Sequence, residues 1–447
     1  MRTVRYHPEA RAEFLHEVEY FVALSARLAE HYDQAVHTAE THAANTPETW
    51  PKYKHKTRRV VDRQFKFSLV YLHDENEVYV VAVAPTKRRP GYWIETGVVW
   101  AGSRFIRAFA AIRGLSPISR PLYGAPRVSL PPILQNLSLP VICAPLFIAG
   151  NPRLVIEQCK AGVVGSFPAL NARPKETLDA WLTQIEAELE AHRKANPGAN
   201  VAPYAVNQIA HKSNDRLAYD VEVCIRHKVP ITITSLRAPH EVVAGVHSYG
   251  GIVLHDVINV RHAEKALEMG VDGLILVCAG AGGHAGTLSP FALVGEVRRF
   301  FDGPIILSGA IATGDAILAA LASGADLAYI GTRFLATPEA SVPERYKEEV
   351  LKAAAADIIY TDLFSGVHGN YLRHSVVNAG FDPLNLPKSD PNKMNFGTEG
   401  GAEKKVWRDI WSAGQGVGQI ESIVPVAEVV AQLKAEYTAA RQRLQLG

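Results

Sequence analysis

One glycine-rich run carries a single proton-transferring side chain: Cys278-Ala-Gly-Ala-Gly-Gly-His-Ala-Gly286. It follows the apolar run Gly273-Leu-Ile-Leu-Val277, which reads as a buried strand. Glycines at a strand's C-terminal end let backbone approach a ligand closely, and such loops carry function. The turn delivers one imidazole, His284, a side chain suited to general acid–base work near neutral pH. By itself the segment also reads as a tight turn with a surface histidine. Two further loops, Ser308-Gly-Ala-Ile-Ala-Thr-Gly314 and Ile330-Gly-Thr-Arg333, each follow an apolar run. Backbone N–H groups in such loops, ahead of a helix N-terminus, suit phosphate, and Thr332 or Thr313 can add a hydroxyl donor.

The elements that must position these loops begin near Leu130, where apolar runs start to alternate with helical stretches. The strand candidates are Leu139–Ala144, Val163–Phe167, Tyr204–Ile209, Val229–Thr234, Gly251–His255, Gly273–Val277, Pro304–Ser308 and Leu327–Ile330. Helical patterns such as Arg261–Met269 and Asp315–Ala322 fill the gaps. The fold class is therefore α/β. Eight such units predict a (β/α)8 barrel, with a doubly wound open sheet as the alternative. The absence of a GxGxxG dinucleotide fingerprint favours the barrel.

In a barrel the strands' C-terminal ends build the site, and the last two loops are the usual phosphate positions. Ala144-Pro-Leu146 after the first strand can back a flat ring or form a routine turn. Asn207, on the third strand, needs partners for its amide, from a ligand or from the protein. His255 and Asp256 end the fifth strand, as site groups or as a structural His–Asp contact. Residues Asp357 to Phe396 read as a long irregular insertion, a lid or substrate pocket within a C-terminal stretch of about 357–420. There Tyr371 and His368 face substrate or pack.

At 447 residues the chain suits two domains, and 47% hydrophobic with 21% charged residues describes a globular protein. A net charge of +2 gives no global bias toward nucleic acid or membrane. The four cysteines show no CxxC pairing and read as buried thiols, implying neither a disulfide framework nor a zinc site. With no signal-peptide pattern and no apolar stretch of bilayer-spanning length, the expected location is cytoplasmic.

Residues 1–96 form a different unit. Pro8 to about Ala44 is helical in pattern. A basic stretch follows, including Lys52, Lys54, Lys56, Arg58 and Arg59. Phe65–Leu72 and Val78–Ala84 then flank His73-Asp-Glu-Asn-Glu77 as a hairpin. The unit ends in Thr86-Lys-Arg-Arg-Pro-Gly-Tyr-Trp93. This ending and the element order resemble the RelE/ParE toxin family, over roughly Val4 to Trp93 and nearer its ParE-like branch. The resemblance implies a small α+β domain that binds an acidic antitoxin peptide. A basic sheet with Tyr53, Tyr71 and Tyr79 nearby could instead contact RNA, or be a solvated face. Residues 97–128 read as a linker, and 129–447 as the barrel unit.

The second unit resembles the nitronate monooxygenase (2-nitropropane dioxygenase) family over about Leu130 to Ala435. The carriers are Leu139-Pro-Val-Ile-Cys-Ala-Pro145, Ala281-Gly-Gly-His-Ala-Gly286 and Ser308–Gly314. Gly324–Phe334 and Ile410-Trp-Ser-Ala-Gly-Gln-Gly416 complete the set. The resemblance implies an FMN-binding TIM barrel with the phosphate on Gly309, Ala310, Gly331 and Thr332. It implies that Ala144, Pro145 and Leu146 back the isoalloxazine, with Asn207 and Gly282 also in contact. His284 matches the family's catalytic histidine, and Trp411, Ser412 and Gln415 fall in a motif that helps close the site. Asp256 and Gly280 depart from residues that some members carry there, a lysine and an acidic residue. The implied activity is oxidation of a small nitro compound by O2 to a carbonyl compound and nitrite, with His284 as base. Flavin-dependent enoyl-thioester reductases using NAD(P)H share much of the pattern and are the alternative enzyme class. A toxin–antitoxin role of residues 1–96 is the alternative of another kind.

Overall fold

Short apolar runs become the strands of the two larger sheets, in a computed structural model that describes residues 2–53, 57–85, 130–237, 239–387 and 410–445. The chain divides into two compact units, Met1–Ala125 and Pro126–Gly447.

The first unit runs β1 (Thr3–Tyr6), α1 (Pro8–Leu24), α2 (Ala26–Asn45), β2 (Arg58–Asp62), β3 (Phe67–His73) and β4 (Glu77–Pro85). The expected hairpin is β3–β4. Asp74 makes its turn by accepting the N–H groups of Asn76 and Glu77, both at 2.8 Å. The single helical pattern divides into two helices at Ser25, whose backbone is extended. Helix residues Phe14, Tyr32 and Val36 bury against Leu69, Tyr71 and Val80 of the sheet. The sheet order is β1-β4-β3-β2, with β1 parallel to β4 and the other pairs antiparallel. Strands β1 and β2 are additions to the sequence expectation. β1 is four residues long, and β2 hides a single buried valine, Val60, among charged neighbours. Charges on such an edge strand discourage pairing with other chains. The Thr86–Trp93 ending and the 97–128 stretch lie outside the described residues.

In the second unit the barrel strands are β5 (Val141–Cys143), β6 (Gly165–Pro168), β7 (Tyr204–Ile209), β8 (Ile231–Ser235), β9 (Ile252–Val257) and β10 (Gly273–Val277). A short strand outside the barrel, β11 (Gly283–His284), precedes the last two, β12 (Ile305–Ser308) and β13 (Leu327–Ile330). The order β5-β13-β12-β10-β9-β8-β7-β6 is parallel throughout, and a parallel bridge from Ile142 to Val164 links its two edges. The sheet thus curls into a near-closed eight-stranded barrel rather than an open doubly wound layer. All eight expected runs supply a strand. Those of β7, β10 and β13 agree end to end, and the others differ mainly at their ends.

Alternation along each strand fills the interior. Ile142, Ala205, Ile233, Leu254, Ile275 and Leu327 form one buried cluster, and Leu134 of the helix Pro132–Gln135 joins it. Three outer helices start on polar caps. Asn151 accepts Leu154 N–H at 3.1 Å, Asn259 accepts His262 N–H at 2.8 Å, and Thr313 accepts Ala316 N–H at 3.3 Å. The C-terminal helix Val426–Arg443 packs on Gly314–Ala322 so closely that a Cβ at Gly314 would overlap backbone of Tyr437 and Leu433.

The stretch expected to be irregular is partly regular. β14 (Ile358–Thr361) and β15 (Gly369–Leu372) form an antiparallel pair, and the helix Arg373–Asn378 follows. β15 also pairs with β11, giving a three-stranded sheet, β11-β15-β14, that holds the histidine-bearing turn. Residues 388–409 are outside the described part. No helix among the described residues is long and apolar enough to cross a membrane.

Candidate active site

The turn after β10 is held at nearly every residue. Cys278 N–H donates to Ser308 O at 3.0 Å, and Gly286 N–H donates to Val277 O at 3.1 Å. The carbonyl of Gly280 accepts Gln415 N–H at 2.8 Å and Ala310 N–H at 3.3 Å. Gly280 has φ +84°, and a Cβ there would lie 2.9 Å from Gln415 Oε1 and 3.2 Å from Ala310 Cβ. An acidic side chain at this position would therefore have to displace Gln415. The turn is thus tied to the loop after β12 and to the C-terminal motif.

The β14–β15 hairpin holds the other side. Asn370, buried, donates from Nδ2 to Ala281 O at 2.6 Å, and Tyr360 Oη donates to Ala285 O at 2.9 Å. Gly369 pairs with His284 in the ladder, and Ala285 N–H donates to His368 O at 3.1 Å. His284 Nε2 lies 3.0 Å from Ser365 Oγ. Burial of the ring pushes the His284 pKa down to about 4. The imidazole is therefore neutral at pH 7, a state that can accept a proton.

The loops after β12 and β13 stand next to this turn. Thr332 Oγ1 accepts Gly414 N–H at 2.8 Å, and a Cβ on Gly282 would meet Gly414 N, Ala413 C and Thr332 Oγ1 within 3.1 Å. Gly309 has φ +138° and lies against Ala279 O, so a side chain there would be strained and crowded. Gly331 faces Ala144 and Leu146, whose carbons would lie 3.3 and 3.4 Å from its Cβ. One expected donor is already engaged, the Ala310 amide on Gly280 O, and at the end of the same loop the Gly314 amide donates to the Glu436 carboxylate at 2.7 Å. Thr313 serves as a helix cap.

Inside the barrel, parity with Ile233, Leu254 and Leu327 places Ser235, Asp256 and Tyr329 in the uppermost inward layer. Asn207, two residues past inward-facing Ala205, donates to Ser235 Oγ at 2.8 Å, and Ser235 donates to Asp256 Oδ2 at 2.5 Å. Asp256 Oδ1 and Tyr329 Oη are buried without a hydrogen-bond partner among the described residues. Burial raises the Asp256 pKa to about 7. The expected His255–Asp256 contact does not form, because neighbours on a strand point to opposite faces. His255 pairs with Thr234 at 2.8 Å instead, and burial lowers its pKa to about 4.

The remaining candidates divide by role. Gln415 joins the glycine turn through its backbone, as above. Trp411 stacks on Tyr346 with ring centroids 4.9 Å apart, its carbonyl accepts Leu372 N–H at 2.8 Å, and Ser412 O accepts Tyr346 Oη at 2.5 Å. Both residues thereby anchor the C-terminal motif to the helix Glu344–Lys352. Tyr371 is buried, and its hydroxyl lies 3.5 Å from Ser365 Oγ. His368 stacks on Tyr360 at the surface, with centroids 5.0 Å apart. A separate cavity, lined by Tyr204, Pro230, Glu186 and Arg193, opens beside the strands' N-terminal ends and includes none of these residues. Sequence reasoning missed Ser365, Asn370, Ser235 and Tyr329. Gly369-Asn-Tyr-Leu372 shows no alternation of polar and apolar residues and is buried throughout, so it offered little strand signal.

A family model described as nitronate monooxygenase matches residues 178–436, more than half of the chain and including His284, Gly309, Gly331 and Gln415. A nitronate monooxygenase of Paraburkholderia phytofirmans is 28% identical over 349 residues, covering 70% of this chain and 95% of that one. A (3aS,4S,5R,7aS)-5-hydroxy-7a-methyl-1-oxo-octahydro-1H-indene-4-carboxyl-CoA dehydrogenase of Rhodococcus jostii is 28% identical over 246 residues, 55% of this chain and 66% of that relative. The chain thus spans just under two thirds of that second relative's length. In fold, the structure of FabK from Thermotoga maritima is similar with a TM-score of 0.56 at 24% identity, covering 70% of this chain and 96% of that one. The histidine turn, the paired glycine loops and the barrel thus sit in a chain that belongs to the nitronate monooxygenase family of flavin oxidoreductases.

Proposed function

We propose that the barrel oxidises small nitroalkanes, and the nitronates they ionise to, with O2, giving a carbonyl compound and nitrite. The observation that carries this reading is the neutral, half-buried His284 on a turn fixed beside two glycine loops. The residue types fit FMN. Gly309 and Gly331 carry no side chain of their own over the backbone, and Thr332 adds a hydroxyl. Ala144, Pro145 and Leu146 would back the ring, with Asn207 and Gly282 beside it. Bound there, FMN would supply the electron acceptor.

The chain's own contribution is proton handling. His284 takes the α-proton of a neutral nitroalkane, and the ladder between β11 and β15 holds the turn that carries it. A preformed nitronate needs no such step. The test is oxygen uptake by the FMN-loaded protein with nitroethane and no nicotinamide. Nitroethane-dependent uptake with nitrite release supports the reading; NADH oxidation on an enoyl thioester without it supports a second one. For that second reading, reduction of a thioester-bound substrate, the CoA-named relative supports the thioester but not the direction, since it is named a dehydrogenase. For the first unit, a RelE/ParE-like fold that takes an acidic antitoxin segment rests on its helix–sheet order and basic strand β2. Expression of residues 1–96 tests it, with growth arrest relieved by an acidic partner as the supporting result.

A further inference from the structure

The hydrogen bonds around Ser365 determine which nitrogen of His284 carries the proton. Ser365 Oγ lies 2.8 Å from Val367 O, receives Val367 N–H at 3.3 Å, and lies 3.0 Å from His284 Nε2. A serine hydroxyl has one proton to donate, and a carbonyl oxygen can only accept. If Nε2 were bare, two acceptors would compete for that proton and one close contact would set lone pair against lone pair. Both contacts are hydrogen bonds only when Ser365 donates to Val367 and Nε2–H donates to Ser365.

The serine is itself held in place. It lies in the connection between β14 and β15, where Gly366 turns with φ +72° and donates its N–H to Asp362 O at 2.9 Å. The buried Tyr371 hydroxyl stands 3.5 Å away on β15. β15 is also the strand that pairs with His284. One element therefore fixes both partners of the bond.

We propose that Ser365 is a positioning residue that holds neutral His284 as its Nε2–H tautomer, so that Nδ1 takes the substrate's α-proton. The proposal rests on the reading of His284 as base. In the step, the substrate's C–H bond breaks, its electron pair moves into the nitro group to give the nitronate, and an N–H bond forms at Nδ1. No oxidant is consumed. The imidazolium so formed keeps Nε2–H on Ser365 Oγ, which stabilises it. Ser365 sets the tautomer as an orienting group sets the base in a catalytic triad, here through a hydroxyl rather than a carboxylate.

Two measurements on the full-length protein test this. The first is nitrogen NMR of the His284 ring, assigned by the signal lost in His284→Asn. The wild type should show the Nε2–H tautomer, and Ser365→Ala a shift toward a mixture. An Nδ1–H ring in the wild type overturns the proposal. The second is steady-state turnover by the FMN-loaded protein. Ser365→Ala should lower kcat on neutral nitroethane roughly 10-fold or more while leaving preformed ethyl nitronate within about twofold, and Ser365→Thr should restore most of the loss. Equal losses on both substrates would mean a merely structural serine and would overturn the proposal. Wild-type turnover of nitroethane by His284→Asn would remove the base reading, whereas the tautomer measurement would still decide the hydrogen-bond assignment.

Discussion

Replacing Asp256 by asparagine should make the barrel more stable, increasingly so as pH rises. The carboxyl sits in the inward layer with one hydrogen bond, from Ser235, and its Oδ1 has no partner among the described residues. Burial favours the neutral acid, lifting the pKa from 3.8 to about 7. Between those values the folded state holds a proton that the unfolded state has released. Stability contributed by this group is therefore fully present below the unfolded pKa and is lost as pH rises through the folded one. At about 1.4 kcal/mol per unit, the total is about 4 kcal/mol, an upper figure for a group that keeps some exposure. Asparagine matches the neutral acid in shape and loses nothing across that range. The assay is urea unfolding of apo wild type and Asp256→Asn from about pH 4 to about pH 8. Other titrating groups cancel in the difference. The variant should gain on the wild type by about 1.4 kcal/mol per pH unit up to about pH 7, and then level off. A difference that stays flat with pH would refute the assignment of a buried, poorly compensated carboxyl.

Three other substitutions follow from single contacts. Arg216→Ala should cost about 3–5 kcal/mol in urea unfolding, because it leaves Asp220 buried without the guanidinium that now pairs with it at 2.8 Å. Asn370→Ala strips the donor from Ala281 O and should cost about 1–3 kcal/mol, with faster amide exchange in the 278–286 turn as the local readout. Gly314→Ala must push the C-terminal helix off the barrel, and should lower stability by about 1–3 kcal/mol in thermal melts.

The barrel is legible in the sequence because each strand is a short apolar run bounded by turn residues, and eight in succession admit few arrangements. The glycine turn is legible for the same reason: once β10 is placed, Cys278–Gly286 must lie at its C-terminal end. The partners of that turn are not legible. Asn370 and Ser365 reach it from 89 and 81 residues away, through strands only four residues long that sit among glycines. The Glu436 carboxylate that holds the Gly314 amide is 122 residues distant and lies on another helix. His255 and Asp256 illustrate a signal that was present in principle. Adjacent residues on a strand cannot share a face, so only one of them can enter the barrel, and parity with Leu254 selects Asp256.

The most direct test of the account is anaerobic mixing of the FMN-loaded protein with nitroethane, followed by the visible flavin absorbance. The account predicts bleaching without any nicotinamide, and little or none in His284→Asn, whose flavin should still be bleached by preformed nitronate. Flavin that stays oxidised with nitroethane and its nitronate, yet is bleached by NADH, would contradict it.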